Sequence, residues 1–226
     1  MGLESGTKSD RIKLDMRKFL IIDDHALMRR GLKQLLADEF PNAILGEARD
    51  GAEALQLIQQ QKWDVVILDI FLPGRSGLDV LNDIKHVEPE LPVLIHSMHP
   101  EDQFAVRAFK GGASGYICKT DLPEELLKAM QKILAGGRYV SPALAEKLAF
   151  SLADKVVQAP HEKLSDREFQ VLRMIAAGKA TSEIAKELSL SAKTISTYRA
   201  RILDKMKMKT NAELIYYMIE HRLNDP

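Results

Sequence analysis

The chain has 226 residues, 46% apolar and 28% charged, with 32 Lys and Arg against 32 Asp and Glu. That length fits one large domain or two small ones, and the composition excludes wholesale disorder. A lone cysteine excludes an intrachain disulfide and a cysteine-rich zinc site, and no apolar run approaches the roughly 18 residues a membrane helix needs.

The polar start MGLESGTKSDR has no signal-peptide core, so a cytoplasmic protein with no membrane partner is expected. The neutral total hides an asymmetry. Residues 18–151 carry 15 basic and 19 acidic side chains, whereas residues 161–226 carry 12 basic and 9 acidic. Within 191–210 the ratio is 6 basic to 1 acidic, so an acidic first half is joined to a basic end.

The first half alternates short apolar runs with helical patterns. KFLIID precedes a helix over 25–38, NAILGEA a helix over 51–61, and DVVILDI the loop FLPGRSG and a helix over 78–86. LPVLIHS then precedes a helix over 101–111, and SGYIC precedes LPEELLKAMQKILAG. Five strands alternating with five helices predict an α/β domain with a parallel sheet covered on both faces. DVVILDI is apolar on both parities apart from its carboxylates, as a doubly covered strand should be. Residues 143–161, bracketed by Pro142 and Pro160, read as a short helix and linker, and residues before Lys18 are assigned no structure.

From Lys163 onward the pattern is purely helical. Ser165 with Glu168 is a capping box, and Gly178 is placed to end that helix. TSEIAKELS offers a second match through Thr181 and Ser182. Leu190-Ser191 opens SAKTISTYRARILDKM, and NAELIYYMIEHRL closes the unit. Two short helices joined by a tight turn resemble a helix-turn-helix.

Open α/β sheets bind ligands at the carboxyl ends of their strands. Strand one ends in Asp23-Asp24, strand three in Asp69 and strand four in Ser97, and Lys119 follows strand five. Three carboxylates converging on one pocket repel each other unless a cation joins them, and hard oxygen ligands suit Mg²⁺. Lys119 supplies counter-charge for an anion.

Asp23-Asp24, Asp69 with Leu72-Pro73-Gly74 and Gly77, Ser97, and GYICK ending in Lys119 resemble a response-regulator receiver domain over about 18–138. The stretch from LSDREFQVLRMIAAG to ILDKM resembles a LuxR-type DNA-binding domain, and the pair in this order resembles the NarL/FixJ subfamily. The resemblance implies a flavodoxin-like (βα)5 receiver with sheet order 2-1-3-4-5, a helix and linker over 139–161, and a four-helix helix-turn-helix domain over 162–226. It further implies that Asp69 accepts a phosphoryl group from a histidine kinase. Asp24, Asp69 and the Phe71 backbone carbonyl would hold Mg²⁺, with Asp23 reaching it through water. Lys119 and Ser97 would meet the phosphoryl oxygens, with Tyr116 turning inward behind Ser97. Promoter DNA and a homodimer formed on phosphorylation are the implied partners.

On a helical wheel of 191–206, Ile195, Ile202 and Met206 form one stripe, with Tyr198 at its edge. The opposite face carries Lys193, Thr197, Ala200 and Asp204, flanked by Ser196 and Arg201. Relatives often carry basic residues where this chain has Ser196 and Ala200, which directs Thr197 and Ala200 toward thymine methyls. Lys193, Arg201 and Lys205 are assigned to phosphates, and Thr194 and Ser196 complete the DNA-binding set. In the last helix, Leu214, Ile215 and Met218 are candidates for a contact between two DNA-binding domains or for packing within one. His25 is expected to open the first helix, and Cys118 to be a packed thiol.

Three other classes fit less well. An aspartyl-phosphate phosphatase wants a second acid two residues beyond its nucleophile, where this chain has Phe71. A phosphorylation-independent module would not need the full set Asp23, Asp24, Asp69, Ser97 and Lys119. A dinucleotide site would need a G-x-G-x-x-G after the first strand, which is missing.

Overall fold

The computed structural model describes residues 16–98, 101–141, 144–146, 159–221 and 223. Strands β1 (Lys18–Ile22), β2 (Ile44–Ala48), β3 (Val65–Leu68), β4 (Val93–Ser97) and β5 (Gly115–Cys118) form one parallel sheet in the order β2-β1-β3-β4-β5. In register, Ile22 of β1 stands beside Ala48 and Leu68, and Ser97 of β4 beside Cys118. Leu68 at the end of β3 stands beside Ile95, so β4 and β5 run two residues further, and the carboxyl ends of β1, β3, β4 and β5 lie on the same side of the sheet.

Helices α1 (Ala26–Glu39), α2 (Gly51–Gln60), α3 (Gly77–Val87), α4 (Glu101–Lys110) and α5 (Pro123–Leu134) alternate with the strands. Their starts follow from local chemistry. Asp50 caps α2 by accepting from the N–H groups of Ala52 and Glu53, Ser76 caps α3 through Leu78 N–H, and Pro123 opens α5 ahead of Glu124 and Glu125. Leu32 and Leu36 of α1 with Leu126, Met130 and Ile133 of α5 cover one face of the sheet. Helices α2, α3 and α4 cover the other through Ile58, Leu81, Ile84 and Phe104. Because both faces are covered, alternate strand residues such as Ile21 and Ile22 are equally buried.

Helices α6 (Asp166–Ala176), α7 (Thr181–Glu187), α8 (Ala192–Met206) and α9 (Asn211–Glu220) follow a 3₁₀ turn at Pro160–Lys163. The capping box at α6 is present: Ser165 accepts from Glu168 N–H, and Glu168 accepts from Ser165 N–H. At α7 the start lies one residue earlier than the sequence suggested. Ala180 is the cap and donates its N–H to Glu183, so Thr181 is already helical. Phe169, Leu172, Ile184, Ile195, Ile202, Leu214 and Met218 form the core of this bundle. The helix and linker expected over 143–161 lie largely outside the described residues, as do residues 1–15.

The two parts meet through α4 and α6. Phe104 packs edge-on between Phe71, at 5.6 Å, and Phe169, at 5.5 Å. Arg107 donates to the carbonyls of Leu164 (3.1 Å) and His161 (2.7 Å), and its guanidinium lies 5.0 Å from the centre of the Phe169 ring.

The loop from Asp69 to Gly77 is drawn tight at both ends. Gly77 N–H donates to Ile70 O at 2.6 Å, and Phe71 pairs with Ser76 across the loop. A Cβ at Gly77 would stand 2.0 Å from the Asp69 carbonyl oxygen and 2.7 Å from Ile70 Cα, both backbone atoms. Only glycine lets α3 approach so near. By contrast, a Cβ at Gly31 on α1 meets nothing within 4 Å. Gly31→Ala should therefore raise the unfolding free energy by about 0.5–1 kcal/mol. Gly77→Ala should lower it by about 1–3 kcal/mol or more through overpacking. Urea titration of both variants checks the opposite signs.

Candidate functional site

Four strand ends and the β3–α3 loop build one acidic pocket. Asp23 follows β1, Asp69 follows β3, and both carboxylates are buried, at 2% and 4% exposure. The Lys119 ammonium, brought from β5, lies 2.6 Å from Asp23 Oδ2 and 2.7 Å from Asp69 Oδ2. The second Asp69 oxygen accepts from Phe71 N–H at 3.3 Å. Asp24 is exposed at the rim.

The charges shift one another in opposite senses. Burial pushes the Asp69 carboxyl up, opposed by the Lys119 charge and reinforced by Asp23, to about 6. Burial alone would lower the Lys119 ammonium, but Asp69 and Asp23 override it and hold it above the usual lysine range.

His25 occupies the cap position of α1, yet its side chain caps nothing. Its backbone N–H and its Nδ1 lie 2.8 and 3.2 Å from Asp23 Oδ1, and Nδ1 is 2.8 Å from Asp24 Oδ1. Donor atoms of Asp23, Asp24, His25 and Asp69 all fall within 4.8 Å of one another. Sequence reasoning gave His25 only the opening of α1. The imidazole instead lies against the acidic pair, with Nδ1 in reach of both carboxylates.

Ser97 is fully buried beside Tyr116, and their hydroxyls are hydrogen-bonded. Burial pushes the Tyr116 phenol far above its usual value, so it stays protonated. Tyr116 thus faces inward. Cys118 is buried, accepting from the Thr120 hydroxyl at 3.0 Å.

The second candidate surface is α8. Ile195, Ile202 and Met206 are buried, while Lys193, Ser196, Thr197, Ala200 and Arg201 are exposed and Thr194 is half-buried. Ser196 and Thr197 donate their hydroxyls to the carbonyls four residues back, Ala192 and Lys193, both at 3.0 Å. That leaves hydroxyl lone pairs and the Thr197 methyl facing outward. Lys205 differs from the others: its ammonium lies 2.6 Å from a carboxylate oxygen of Glu168, a residue only 2% exposed. A DNA phosphate would have to share that ammonium.

Residues 19–131 match the response regulator receiver domain family, and residues 162–218 match the bacterial regulatory proteins of the luxR family. The chain is 36% identical over 211 residues to the response regulator GacA of Pseudomonas aeruginosa, covering 93% of this chain and 99% of that one. This chain is a response regulator. It is also 31% identical over 209 residues to the response regulator UvrY of Escherichia coli K12, covering 92% of this chain and 96% of that one. Among solved structures it resembles RcsB from Salmonella enterica serovar Typhimurium bound to promoter rprA with the phosphomimetic BeF3-. That likeness has a TM-score of 0.60 at 25% identity, over 89% of this chain and 98% of the other.

As a response regulator with a LuxR-type domain, the protein is a phosphorylation-dependent, DNA-binding transcription regulator, a family of regulators and not a class of enzymes. Among its described residues no helix is long and apolar enough to cross a membrane. Of the two alternatives for the α9 stripe, packing within its own bundle is the one the structure shows. Leu214 and Met218 of α9 are completely buried in their own bundle, so they are not available to a second copy. The exposed apolar side chains of α9 are Tyr216 and Ile219, at 68% and 62%. The contacts of Arg107, Phe104 and Phe169 were missed, because long-range pairs leave no periodic signal.

His96, next to Ser97 on β4, is buried, and its Nδ1 has no hydrogen-bond partner among the described residues. Burial, and then the Lys119 charge, push its pKa down from 6.5 to about 4 against the pull of Asp23. A depressed histidine pKa favours the unfolded chain as pH falls, so stability held above pH 6.5 is lost progressively toward pH 4. His96→Leu should remove that loss, on the order of 2–3 kcal/mol across the interval. Denaturant titrations of both proteins at pH 7, 5.5 and 4.5 measure the difference; parallel losses would contradict it.

Proposed function

We propose that Asp69 is the phosphoacceptor and that α8 is the reading helix of a promoter-binding dimer. The observation that carries the first part is the buried Asp69 carboxylate, with one oxygen held by Lys119 and the other by Phe71 N–H. A positioned carboxylate beside a fixed cation is what phosphoryl transfer needs, since its catalysis is chiefly alignment and charge neutralisation.

Asp69 attacks phosphorus in line, and the P–N bond of a kinase phosphohistidine breaks with its electron pair returning to the imidazole. Lys119 then moves from the carboxylate to a phosphoryl oxygen, and the Ser97 hydroxyl donates to another. Tyr116, already inward, holds Ser97 from behind, so the pair can transmit occupancy of the site to α4. The carboxylates of Asp23, Asp24 and Asp69 with the Phe71 carbonyl form a hard-oxygen donor set that fits Mg²⁺, which would neutralise charge on the phosphoryl oxygens. A histidine kinase is the donor that the receiver domain implies.

For DNA, Lys193 and Arg201 are assigned to phosphates and Thr197 and Ala200 to base edges, with Thr194 and Ser196 alongside. One short helix covers a half-site, so paired half-sites call for two copies. The exposed Tyr216 and Ile219 are the α9 side chains open to such a contact.

Incubation with acetyl phosphate and Mg²⁺ should add one phosphoryl mass to the wild type and none to Asp69→Asn; equal labelling of the variant overturns the assignment. On the DNA side, Lys193→Ala should reduce the slope of log K against log salt by about 1 on any sequence. Thr197→Ala should instead lower specific over non-specific affinity, by roughly 1–3 kcal/mol, with the slope unchanged. Titrations on operator and scrambled DNA at several salt concentrations separate the two; exchanged effects would place the wrong face of α8 in the groove.

A further inference from the structure

Beyond α5 the chain turns back along the outer edge of the sheet. β5 is the last strand in the order β2-β1-β3-β4-β5, and Tyr139 pairs with Gly115 on its far side, donating its N–H to Ser114 O at 2.9 Å. The pairing is parallel. Two residues later, about 7 Å further along an extended chain, Ser141 therefore lies toward the carboxyl end of the sheet, where α4 begins.

Two carboxylates hold this returning segment. The Tyr139 hydroxyl donates to Glu125 Oε2 at 2.6 Å, and the Ser141 hydroxyl donates to Glu101 Oε2. Burial, reinforced by Glu125, pushes the Tyr139 phenol up to about 12, so it remains a donor at neutral pH. Ser141 also starts the next turn: its hydroxyl accepts from Leu144 N–H at 3.2 Å, and its carbonyl accepts from Ala145 N–H at 2.9 Å. Leu144 is 1% exposed, in the apolar cluster that contains Phe104 and Tyr116. The two holds lead to different places. Glu125 belongs to the first turn of α5, which carries no residue of the acidic pocket or of the Ser97–Tyr116 pair. Glu101 is the first residue of α4, four after Ser97, and its carboxylate lies near enough to Tyr116 for its charge to help keep that phenol protonated.

We propose that Ser141 and Glu101 form a latch that ties the start of the linker to α4 and opens when Asp69 is phosphorylated, while Tyr139 acts as a hinge that stays closed. The inference rests on Asp69 being the phosphoacceptor. Once the Ser97 hydroxyl turns to a phosphoryl oxygen, its bond to Tyr116 is given up, and the Tyr116 hydroxyl competes with Ser141 for the Glu101 carboxylate. An oxygen shared by two donors holds each less firmly. An O–H···O bond spans only about 2.5–3.0 Å, so a shift of about 1 Å in the first turn of α4 is enough to part Ser141 from Glu101. The turn that Ser141 starts then loses its tie to the receiver, whereas Tyr139 keeps both Ser114 and Glu125.

The test follows hydrogen exchange at single amides of the full chain by NMR, in Mg²⁺ with and without excess acetyl phosphate, and intact mass in parallel. In the labelled wild type the Leu144 and Ala145 amides should exchange on the order of tenfold faster than in the unlabelled protein, as expected for loss of one hydrogen bond to a charged group, while the Tyr139 amide keeps its protection. Glu101→Ala, which removes the acceptor and leaves the Ser141 cap, should show the fast exchange with or without the donor and still take up the label. Glu101→Gln, which removes only the charge, should show a reduced response to the donor, and serves if Glu101→Ala does not fold. Unchanged protection of Leu144 and Ala145 in a labelled wild type, equal acceleration at Tyr139, or a full response to the donor in a folded Glu101 variant overturns the latch. Absence of any label on the wild type would instead overturn the phosphoacceptor assignment.

Discussion

The ammonium of Lys119 between Asp23 and Asp69 is the interaction on which the rest of this site depends. It ties the ends of β1, β3 and β5 together with two contacts of 2.6 and 2.7 Å, in a setting where all three side chains are nearly water-free. Without the cation, two buried carboxylates would face each other, and one would take up a proton. With it, burial is partly offset and the Asp69 carboxyl is raised only to about 6. A carboxylate so placed would be redirected by a second anion competing for the same ammonium.

The scaffold keeps that competition local. Gly77 lets the start of α3 lie against the carbonyl of Asp69, so the loop from Asp69 to Gly77 is packed closely beside the pocket. Ser97 and Tyr116 stand on neighbouring strands and share a hydrogen bond at full burial. Phe71, one turn of the loop beyond Asp69, touches Phe104 of α4, and Phe104 touches Phe169 of α6. Three rings thus connect the acidic pocket to the DNA-binding bundle through close-packed contacts, which pass on displacement better than loosely solvated ones do.

Much of this was legible in the sequence, for identifiable reasons. Runs such as VVILD are apolar on both parities because their strands are covered twice, and their ends therefore located Asp69 and its partners. The capping box at Ser165 and Glu168 and the Ile195/Ile202/Met206 stripe are local patterns, and the structure keeps them. What stayed hidden depends on the third dimension. Nothing local says that the His25 imidazole folds back onto Asp24, or that the Lys205 ammonium reaches across to Glu168. Thr181 looked like a cap because threonine favours caps, but Glu183 anchors Ala180 first. In α9 the Leu214/Met218 stripe is a local pattern that the structure buries, whereas the burial of Tyr217 beside it depends on the bundle.

The pair formed by Lys205 and Glu168 bears on how the bundle travels. Glu168 and Phe169 are consecutive residues of α6: the first holds Lys205 of α8, the second rests on Phe104 of the receiver. Glu168 also anchors the first turn of its own helix through Ser165. One rigid segment is therefore the bearing for the receiver and the mount for α8 at once. A displacement of α4 that carried Phe169 with it would therefore carry α8 as well, through the Lys205–Glu168 contact on the same helix. With α8 in its proposed role, such a displacement would alter the angle at which its exposed face is presented.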